Sequence, residues 1–320
     1  MPLTYDPEFA AAFGPLASKL ASLPKPAKHD IDGRRQLLAN LFSGPPVPIP
    51  ASVTHTTHTI RSCPPLTLHR FFPTAWQTSP PPRSPALLHT HGGGYFAMTV
   101  TQAASSIAAY VAASGVQILS VDYRLAPEDA FPAALDDAFA ALQHLHAHAG
   151  TFDLDLSRLA VFGESAGGGL AAALAIRARD EALSPPLSRQ VLVYPMLDFR
   201  TVTSGGSLAF WSGEDNETGW AAYLGRERYE KGLKDGQVEA WASPSCVESV
   251  EGLPPLYIEC PQLDIFCVED VAYAKRFLEA GIETELHVVP GLPHGFEALG
   301  AGTKAAERAM EQRVRVMKSL

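Results

Sequence analysis

Ser165 stands in a sequence pattern that is typical of a catalytic nucleophile. The stretch Gly163-Glu164-Ser165-Ala166-Gly167 follows an apolar run at 159–162 and precedes an alanine-rich run at 168–179. This order predicts a strand, a sharp turn and a helix, which is the setting of a nucleophile elbow. Small residues two positions before and after the serine let the chain turn tightly and keep the hydroxyl clear of neighbouring side chains.

A serine hydroxyl becomes a good nucleophile when a histidine removes its proton and a carboxylate orients that histidine. One known order of these groups along a chain is serine, acid, histidine. His294 fits the base, because 291–296 is rich in turn formers and follows a strand-like segment. Asp264 fits the acid, since it follows the strand-like segment 256–259, and Asp198 is an alternative acid one strand earlier.

A glycine-rich stretch, His91-Gly92-Gly93-Gly94, offers donors for the oxyanion of an acyl-transfer reaction. It directly follows a strand-like segment upstream of the serine. Glycine lets backbone N–H groups approach a substrate closely, and the N–H of Ala166 would add a further donor. The His91 ring is expected to anchor this loop and not to transfer protons.

Alternating apolar strands and helices after Pro85 predict a parallel sheet with crossover helices. Before this point, the proline-rich region 45–85 contains two alternating segments that suggest edge strands of a mixed sheet, 53–60 and 66–72. The expected strands are 86–89, 116–121, 159–162, 190–194, 256–259 and 285–289, and the expected helices are 102–113, 133–149, 167–181, 268–280 and 303–320.

The composition excludes several classes of protein. The chain has 320 residues, 46% of them hydrophobic, which is enough for a large core. Four cysteines without C-x-x-C spacing predict neither a zinc site nor a redox pair. A net charge of -9 without a Lys/Arg cluster disfavours nucleic-acid binding. We find no P-loop or opening G-x-G-x-x-G, no apolar run of membrane-spanning length and no signal-like start.

Together these motifs resemble the hormone-sensitive-lipase-like branch of the α/β-hydrolase carboxylesterases. That branch is marked by H-G-G-G and G-[DE]-S-A-G-G, which stand here at 91–94 and 163–168. It commonly carries D-Y-R-L-A-P-E followed by F-P-A-A, present here at 122–128 and 131–134. The resemblance covers residues 85–300. Two positions depart from it: Gly169 stands where Asn is common, and Ile265 where Pro often follows the acid.

The resemblance implies an α/β-hydrolase fold, with a mostly parallel central sheet flanked by helices and a helical cap. It also implies a serine carboxylester hydrolase, which we expect to act on small to medium acyl esters through an acyl-enzyme intermediate. An acyltransferase, lactonase or amidase on the same scaffold is the alternative, and a non-catalytic ligand receptor is a further one. The implied site consists of the triad Ser165, Asp264 and His294 and the oxyanion donors Gly93, Gly94 and Ala166.

The cap is expected to combine the N-terminus with a long insertion rich in aromatic residues. We expect an N-terminal cap segment, a first catalytic part, a cap insertion and a second catalytic part, at 1–45, 46–197, 198–253 and 254–320. The predicted substrate contacts are aromatic: Tyr95, Phe210, Trp211 and Trp220, joined by Phe9 and Phe13. We further expect a cytoplasmic enzyme without metal or cofactor that binds a small-molecule ester, and a homodimer is compatible with the sequence.

Overall fold

A single sheet organises the chain in the computed structural model, which describes residues 3–41, 47–60, 64–201, 208 and 210–320. Within these residues eight strands are hydrogen-bonded in the order β1-β2-β4-β3-β5-β6-β7-β8. The strands are β1 (Val53–Ile60), β2 (Leu66–Pro73), β3 (Ser84–Thr90), β4 (Gln117–Val121), β5 (Leu154–Glu164), β6 (Gln190–Val193), β7 (Leu256–Pro261) and β8 (Thr284–Val289).

The sheet is mixed at one edge and parallel elsewhere, as the sequence predicts. Strand β2 runs antiparallel to both of its neighbours, β1 and β4, and the remaining pairs are parallel. In the register of the central strands, Leu87 lies between Ile118 and Ala160, and all three are fully buried. Burial on both faces explains why these strands read as continuous apolar runs and not as alternating ones.

Helices cover both faces of the sheet, and each face has its own apolar core. Helices α3 and α10 contribute to one core, and helices α4, α5 and α8 to the other. The helices of the described residues are α1 (Pro7–Ala21), α2 (Ile31–Leu41), α3 (Val100–Ser114), α4 (Ala133–Ala147), α5 (Ala166–Asp180), α6 (Gly213–Leu224), α7 (Arg226–Asp235), α8 (Cys267–Glu279), α9 (Phe296–Leu299) and α10 (Lys304–Lys318). In this part of the chain every helix is too short or too polar to cross a lipid bilayer.

The topology brings four loops to one edge of the sheet. Strands β3, β5, β7 and β8 are parallel, so their carboxyl ends lie at the same edge. The chain passes from β3 to β4 on one side and later places β5 on the other side of β3. A crevice forms outside such a switch point, and open α/β sheets bind their ligands there.

The N-terminal segment and the insertion after β6 contact each other. The Tyr5 hydroxyl donates to the Leu208 carbonyl (2.8 Å), and Arg34, which is almost fully buried, forms an ion pair with Asp215 (2.9 Å). The sequence predicts a helical segment from 36 to 42 here, whereas helix α2 begins earlier, at Ile31, and residue 42 lies outside the described residues. The four domain boundaries stay predictions.

Candidate active site

The turn at Ser165 is tight enough to require glycine on both sides. Ser165 lies between β5 and α5 with φ 58° and ψ -126°, a conformation that is rare for a residue with a side chain. A Cβ atom on Gly163 would lie 2.3 Å from the Gly167 carbonyl oxygen, and one on Gly167 would lie 2.0 Å from that of Thr90. The motif therefore fixes a strained turn that presents the serine side chain.

The structure brings the three predicted triad residues into one hydrogen-bonded chain. His294 Nε2 lies 2.8 Å from Ser165 Oγ, and His294 Nδ1 lies 2.5 Å from Asp264 Oδ2. A carboxylate only accepts hydrogen bonds, so Nδ1 carries the ring proton and Nε2 is free to accept from the serine. All three residues are buried, and each retains between 6% and 8% exposure.

Asp264 is held by its own loop. Its second oxygen, Oδ1, accepts from the backbone N–H of Phe266 (3.1 Å), and the loop is tied to the histidine loop by the Leu263 N–H, which donates to the Leu292 carbonyl (3.0 Å). These bonds form although Ile265 stands where the hormone-sensitive-lipase-like family often has Pro. The carboxylate therefore has a partner on each oxygen and a fixed orientation.

Asp198, the alternative acid, is not brought to the histidine. Its two oxygens accept from the guanidinium of Arg200, each at 2.8 Å. Burial raises the pKa of Asp198, but the hydrogen bonds from Arg200 outweigh this and hold the pKa below its ordinary value. Asp198 is thus a paired carboxylate beside the site.

Glu269 has a structural role that no pattern in the sequence predicts. Its Oε1 accepts from the backbone N–H groups of Leu197 (2.6 Å) and Asp198 (3.1 Å), and its Oε2 accepts from the Thr201 hydroxyl. Burial raises the pKa of Glu269 well above its ordinary value. An acid in the first turn of a helix is usually a solvated group that the helix dipole stabilises. Glu269 instead joins the start of α8 to the loop after β6.

The glycine loop lies against the elbow and is anchored by His91. Its ring stacks on Tyr123 with centroids 4.3 Å apart, and Nδ1 donates to the Gly92 carbonyl (2.8 Å). Burial lowers the pKa of His91 to about 4, so the ring is neutral near pH 7. This confirms the anchoring part expected for His91. Beyond it, Gly93 and Gly94 adopt φ of 116° and 62°, which favour glycine.

Trp211 of the insertion covers the glycine loop and the histidine. A Cβ atom on Gly94 would lie 2.6 Å from the indole, and the indole lies 6.3 Å from the His294 ring, centroid to centroid. Phe210 is half-buried and packs against the core that contains Phe9. The two insertion residues thus pack against different apolar cores.

Tyr95 and Trp220 are buried behind the glycine loop. Tyr95 stacks on Tyr223 with centroids 4.0 Å apart, and its hydroxyl donates to the Met196 carbonyl (3.2 Å). Trp220 is fully buried against the same two tyrosine rings. The substrate contacts predicted for Tyr95 and Trp220 stay predictions, and this burial does not support them.

The space behind Ser165 explains one departure from the family pattern. A Cβ atom on Gly169 would lie 2.5 Å from the Tyr95 hydroxyl and 2.1 Å from the Met196 carbonyl oxygen. Glycine at this position therefore leaves room for the tyrosine hydroxyl, where a larger side chain would displace it.

A buried polar network packs against the His294 ring through Tyr194, and no motif in the sequence predicts it. The Tyr194 ring meets the His294 ring edge-on at 4.6 Å, and its hydroxyl donates to Glu297 (2.6 Å). Arg313 on α10 donates to both Glu297 (2.8 Å) and Glu259 (2.5 Å). Burial alone would raise the pKa of Glu297, but the charge of Arg313 outweighs burial and holds the pKa below its ordinary value. The Glu297 carboxylate is therefore kept charged.

Comparison with known proteins gives the same picture. A family model described as alpha/beta hydrolase fold matches residues 87–298. Esterase LipI of Mycobacterium tuberculosis is 33% identical over 227 residues, which cover 71% of this chain and 70% of that protein. An ethyl acetate hydrolase of Pseudomonas putida is 30% identical over 240 residues and 73% of each chain. A solved bacterial heroin esterase matches at 33% identity with a TM-score of 0.87, over 99% of this chain and 98% of that one. The chain therefore belongs to the α/β-hydrolase family, in the hormone-sensitive-lipase-like branch that its motifs predict.

Proposed function

We propose that this chain is a serine carboxylester hydrolase in which Ser165 is the nucleophile, His294 the general base and acid, and Asp264 the orienting carboxylate. The observation that carries the proposal is the hydrogen-bonded chain of these three side chains, with the serine at a strained strand-to-helix turn. Membership of a family with relatives named as esterases supports the same reaction.

Ser165 Oγ attacks the ester carbonyl carbon while His294 Nε2 accepts the hydroxyl proton. The Asp264 carboxylate holds the Nδ1–H and stabilises the imidazolium that forms. Backbone N–H groups of Gly93, Gly94 and Ala166 are the proposed donors to the oxyanion, and Ala166 suits this because the first N–H groups of a helix have no partner within the helix. His294 then protonates the leaving alcohol, and water releases the acid by the same route.

We propose small to medium acyl esters as substrates. The Trp211 indole lies against Gly94 of the glycine loop and 6.3 Å from the His294 ring, so it bounds the space beside the base. One relative is named as an ethyl acetate hydrolase, which is consistent with short acyl groups. Trp211 and Phe210 are the proposed specificity residues, and the substrate contacts of Phe9 and Phe13 stay predictions, since both rings are buried in a stacked pair.

Hydrolysis of p-nitrophenyl acetate, butyrate and octanoate by the wild type and Ser165→Ala tests the proposal. The substitution should reduce kcat/KM on the order of 10³-fold or more, because it removes the attacking atom. Ser106→Ala is the matched control, since Ser106 is an exposed serine on α3. Absence of turnover in the wild type, or turnover that Ser165→Ala leaves unchanged, would contradict the assignment.

The cap, the cellular location and the oligomeric state are also proposals. A cap built from 1–45 and 198–253 is supported by the contacts between the N-terminal segment and the insertion. A cytoplasmic location and a homodimer are compatible with the sequence, and cell fractionation and sedimentation of the purified chain test them.

A further inference from the structure

Tyr194 directly follows β6 with a backbone conformation that a bulky residue rarely adopts. Its φ is 37°, in the left-handed region that favours glycine. The peptide groups around it are bonded to the catalytic turn, because the Ser165 N–H donates to the Val193 carbonyl (2.9 Å) and the Met196 N–H donates to the Ser165 carbonyl (3.0 Å). Such conformations persist where the surroundings fix them, and they cluster at functional sites. The strained turn after β6 thus lies against the strained turn of the nucleophile.

The Tyr194 ring contacts the imidazole of the proposed base. The two ring centroids lie 4.6 Å apart with an angle of 62° between the planes, and Tyr194 is buried. The hydrogen bonds of Nδ1 to Asp264 and of Nε2 to Ser165 fix two points of the His294 ring, which can still tilt about the line through them. A hydrogen bond weakens as its N–H or lone pair turns away from the partner. A ring packed against the imidazole therefore keeps both bonds aligned.

The Tyr194 hydroxyl is tethered by a charged acid of the histidine loop. It donates to Glu297 Oε1 (2.6 Å), and Glu297 lies in α9, three residues after His294. Arg313 donates to the same oxygen (2.8 Å) and is almost fully buried. Burial and the neighbouring Glu297 raise the pKa of Tyr194 well above its ordinary value, so the hydroxyl keeps its proton and donates it. A hydrogen bond to an ionised acceptor is stronger than one between neutral groups, so the far end of the ring is held firmly.

Arg313 joins this tether to the sheet. Its guanidinium, on α10, also donates to Glu259 of β7 (2.5 Å), and the Tyr194 N–H donates to the Glu259 carbonyl (2.7 Å). Tyr194 is thus held at its backbone by β7 and at its hydroxyl by α9, and Arg313 bridges the two. A buried ion pair contributes little net stability, since the desolvation of two charges offsets their attraction. Its geometry serves orientation instead, because it fixes the ring that contacts His294.

We propose that Tyr194 is a positioning residue of the esterase reaction, which holds the His294 imidazole in line with Ser165, and that Glu297 and Arg313 act through it. This role rests on the proposed function, since it concerns the base of that reaction. Tyr194 itself moves no proton. An aligned base matters when the Ser165 proton is transferred, whereas it adds little to substrate binding. Loss of the tether should therefore lower kcat and leave KM nearly unchanged.

The test compares two tyrosines of the network after each loses the same hydroxyl. Tyr194→Phe keeps the ring and removes the bond to Glu297, so kcat for p-nitrophenyl acetate should fall on the order of tenfold with KM within about twofold. Tyr257→Phe is the matched control, because the buried Tyr257 hydroxyl donates to Glu259 (2.8 Å), the other acid of the network, and its ring lies beside His287. The control should lose similar stability in urea unfolding but keep kcat within about twofold.

Glu297 variants separate the tether from a general loss of stability. Glu297→Gln keeps an acceptor for Tyr194 and Arg313, because both donate to Oε1, and Oε2 has no hydrogen-bond partner among the described residues. It should retain kcat within about twofold, whereas Glu297→Ala should lose about as much as Tyr194→Phe. The double variant Tyr194→Phe/Glu297→Ala should lose no more than the larger single loss, since both changes remove one bond.

Retention of kcat within about twofold in Tyr194→Phe overturns the proposal, as does an equal loss in Tyr257→Phe or a change confined to KM. The Glu297 pair tests it independently, because equal kcat in Glu297→Gln and Glu297→Ala, or additive losses in the double variant, also overturn it. Wild type that hydrolyses no ester refutes the proposed function. Active wild type whose kcat is unaffected by Tyr194→Phe refutes the positioning role alone.

Discussion

Replacement of Asp264 by Asn is the sharpest test of the triad, because the loop around it decides how the amide must lie. In the wild type Oδ1 accepts from the Phe266 N–H and Oδ2 accepts from His294 Nδ1. An Asn oxygen that keeps the bond to Phe266 turns the NH₂ group toward His294. Nδ1 must then accept a hydrogen bond, so the ring proton moves to Nε2 and the ring cannot take the proton of Ser165.

The flipped amide restores the reactive tautomer but places two donors against each other at Phe266. Leaving that buried N–H unsatisfied costs about 1–3 kcal/mol. Loss of the negative charge beside the imidazolium removes a charge-assisted hydrogen bond worth about 1.5–3 kcal/mol. Together these terms raise the barrier by about 2.5–6 kcal/mol, which is a loss of roughly 10²- to 10⁴-fold in kcat.

Steady-state hydrolysis of p-nitrophenyl acetate measures this loss, and Asp198→Asn is the matched control. Asp198 pairs with Arg200 and does not contact the histidine, so its substitution should change kcat by a few-fold at most. Retention of kcat within about tenfold in Asp264→Asn would refute the reasoning. So would an equal loss in Asp198→Asn, provided that circular dichroism shows both variants folded.

Three further predictions concern the surroundings of the triad. Gly169→Ala should lower the free energy of unfolding, measured by urea titration, by about 1–3 kcal/mol, because the new Cβ overlaps the Tyr95 hydroxyl. Gly150→Ala is the control, since the space around Gly150 is open, and equal stabilities of the two variants would contradict the packing argument. Trp211→Ala should raise the octanoate-to-acetate ratio of kcat/KM about tenfold by uncovering the site, and an unchanged ratio would exclude Trp211 as a specificity residue. Burial raises the pKa of Glu269 in the folded state, so its contribution to stability is full at acid pH and is lost as the pH rises through this raised pKa. Relative to the wild type, Glu269→Gln should therefore become more stable from acid to alkaline pH. Parallel pH profiles of the two proteins in urea unfolding would contradict this sign.

The sequence determined the sheet and the order of the reacting groups. Buried parallel strands read as apolar runs, so 159–162 and 256–259 were identifiable without tertiary information. The elbow was identifiable because only glycine tolerates the contacts at Gly163 and Gly167, which leaves a pattern in the sequence. His294 was identifiable because a histidine among turn formers after a strand lies at the carboxyl edge of a parallel sheet.

Only the tertiary structure decided which groups meet across distant loops. Asp264 and Asp198 both follow strands, and only the loop geometry decides that Asp264 meets the histidine while Asp198 pairs with Arg200. Glu269 reads as a solvated acid at a helix start, yet packing of α8 against the loop after β6 buries it. Local patterns record steric demands within a few residues, whereas a hydrogen bond between loops is fixed by the packing of the whole sheet.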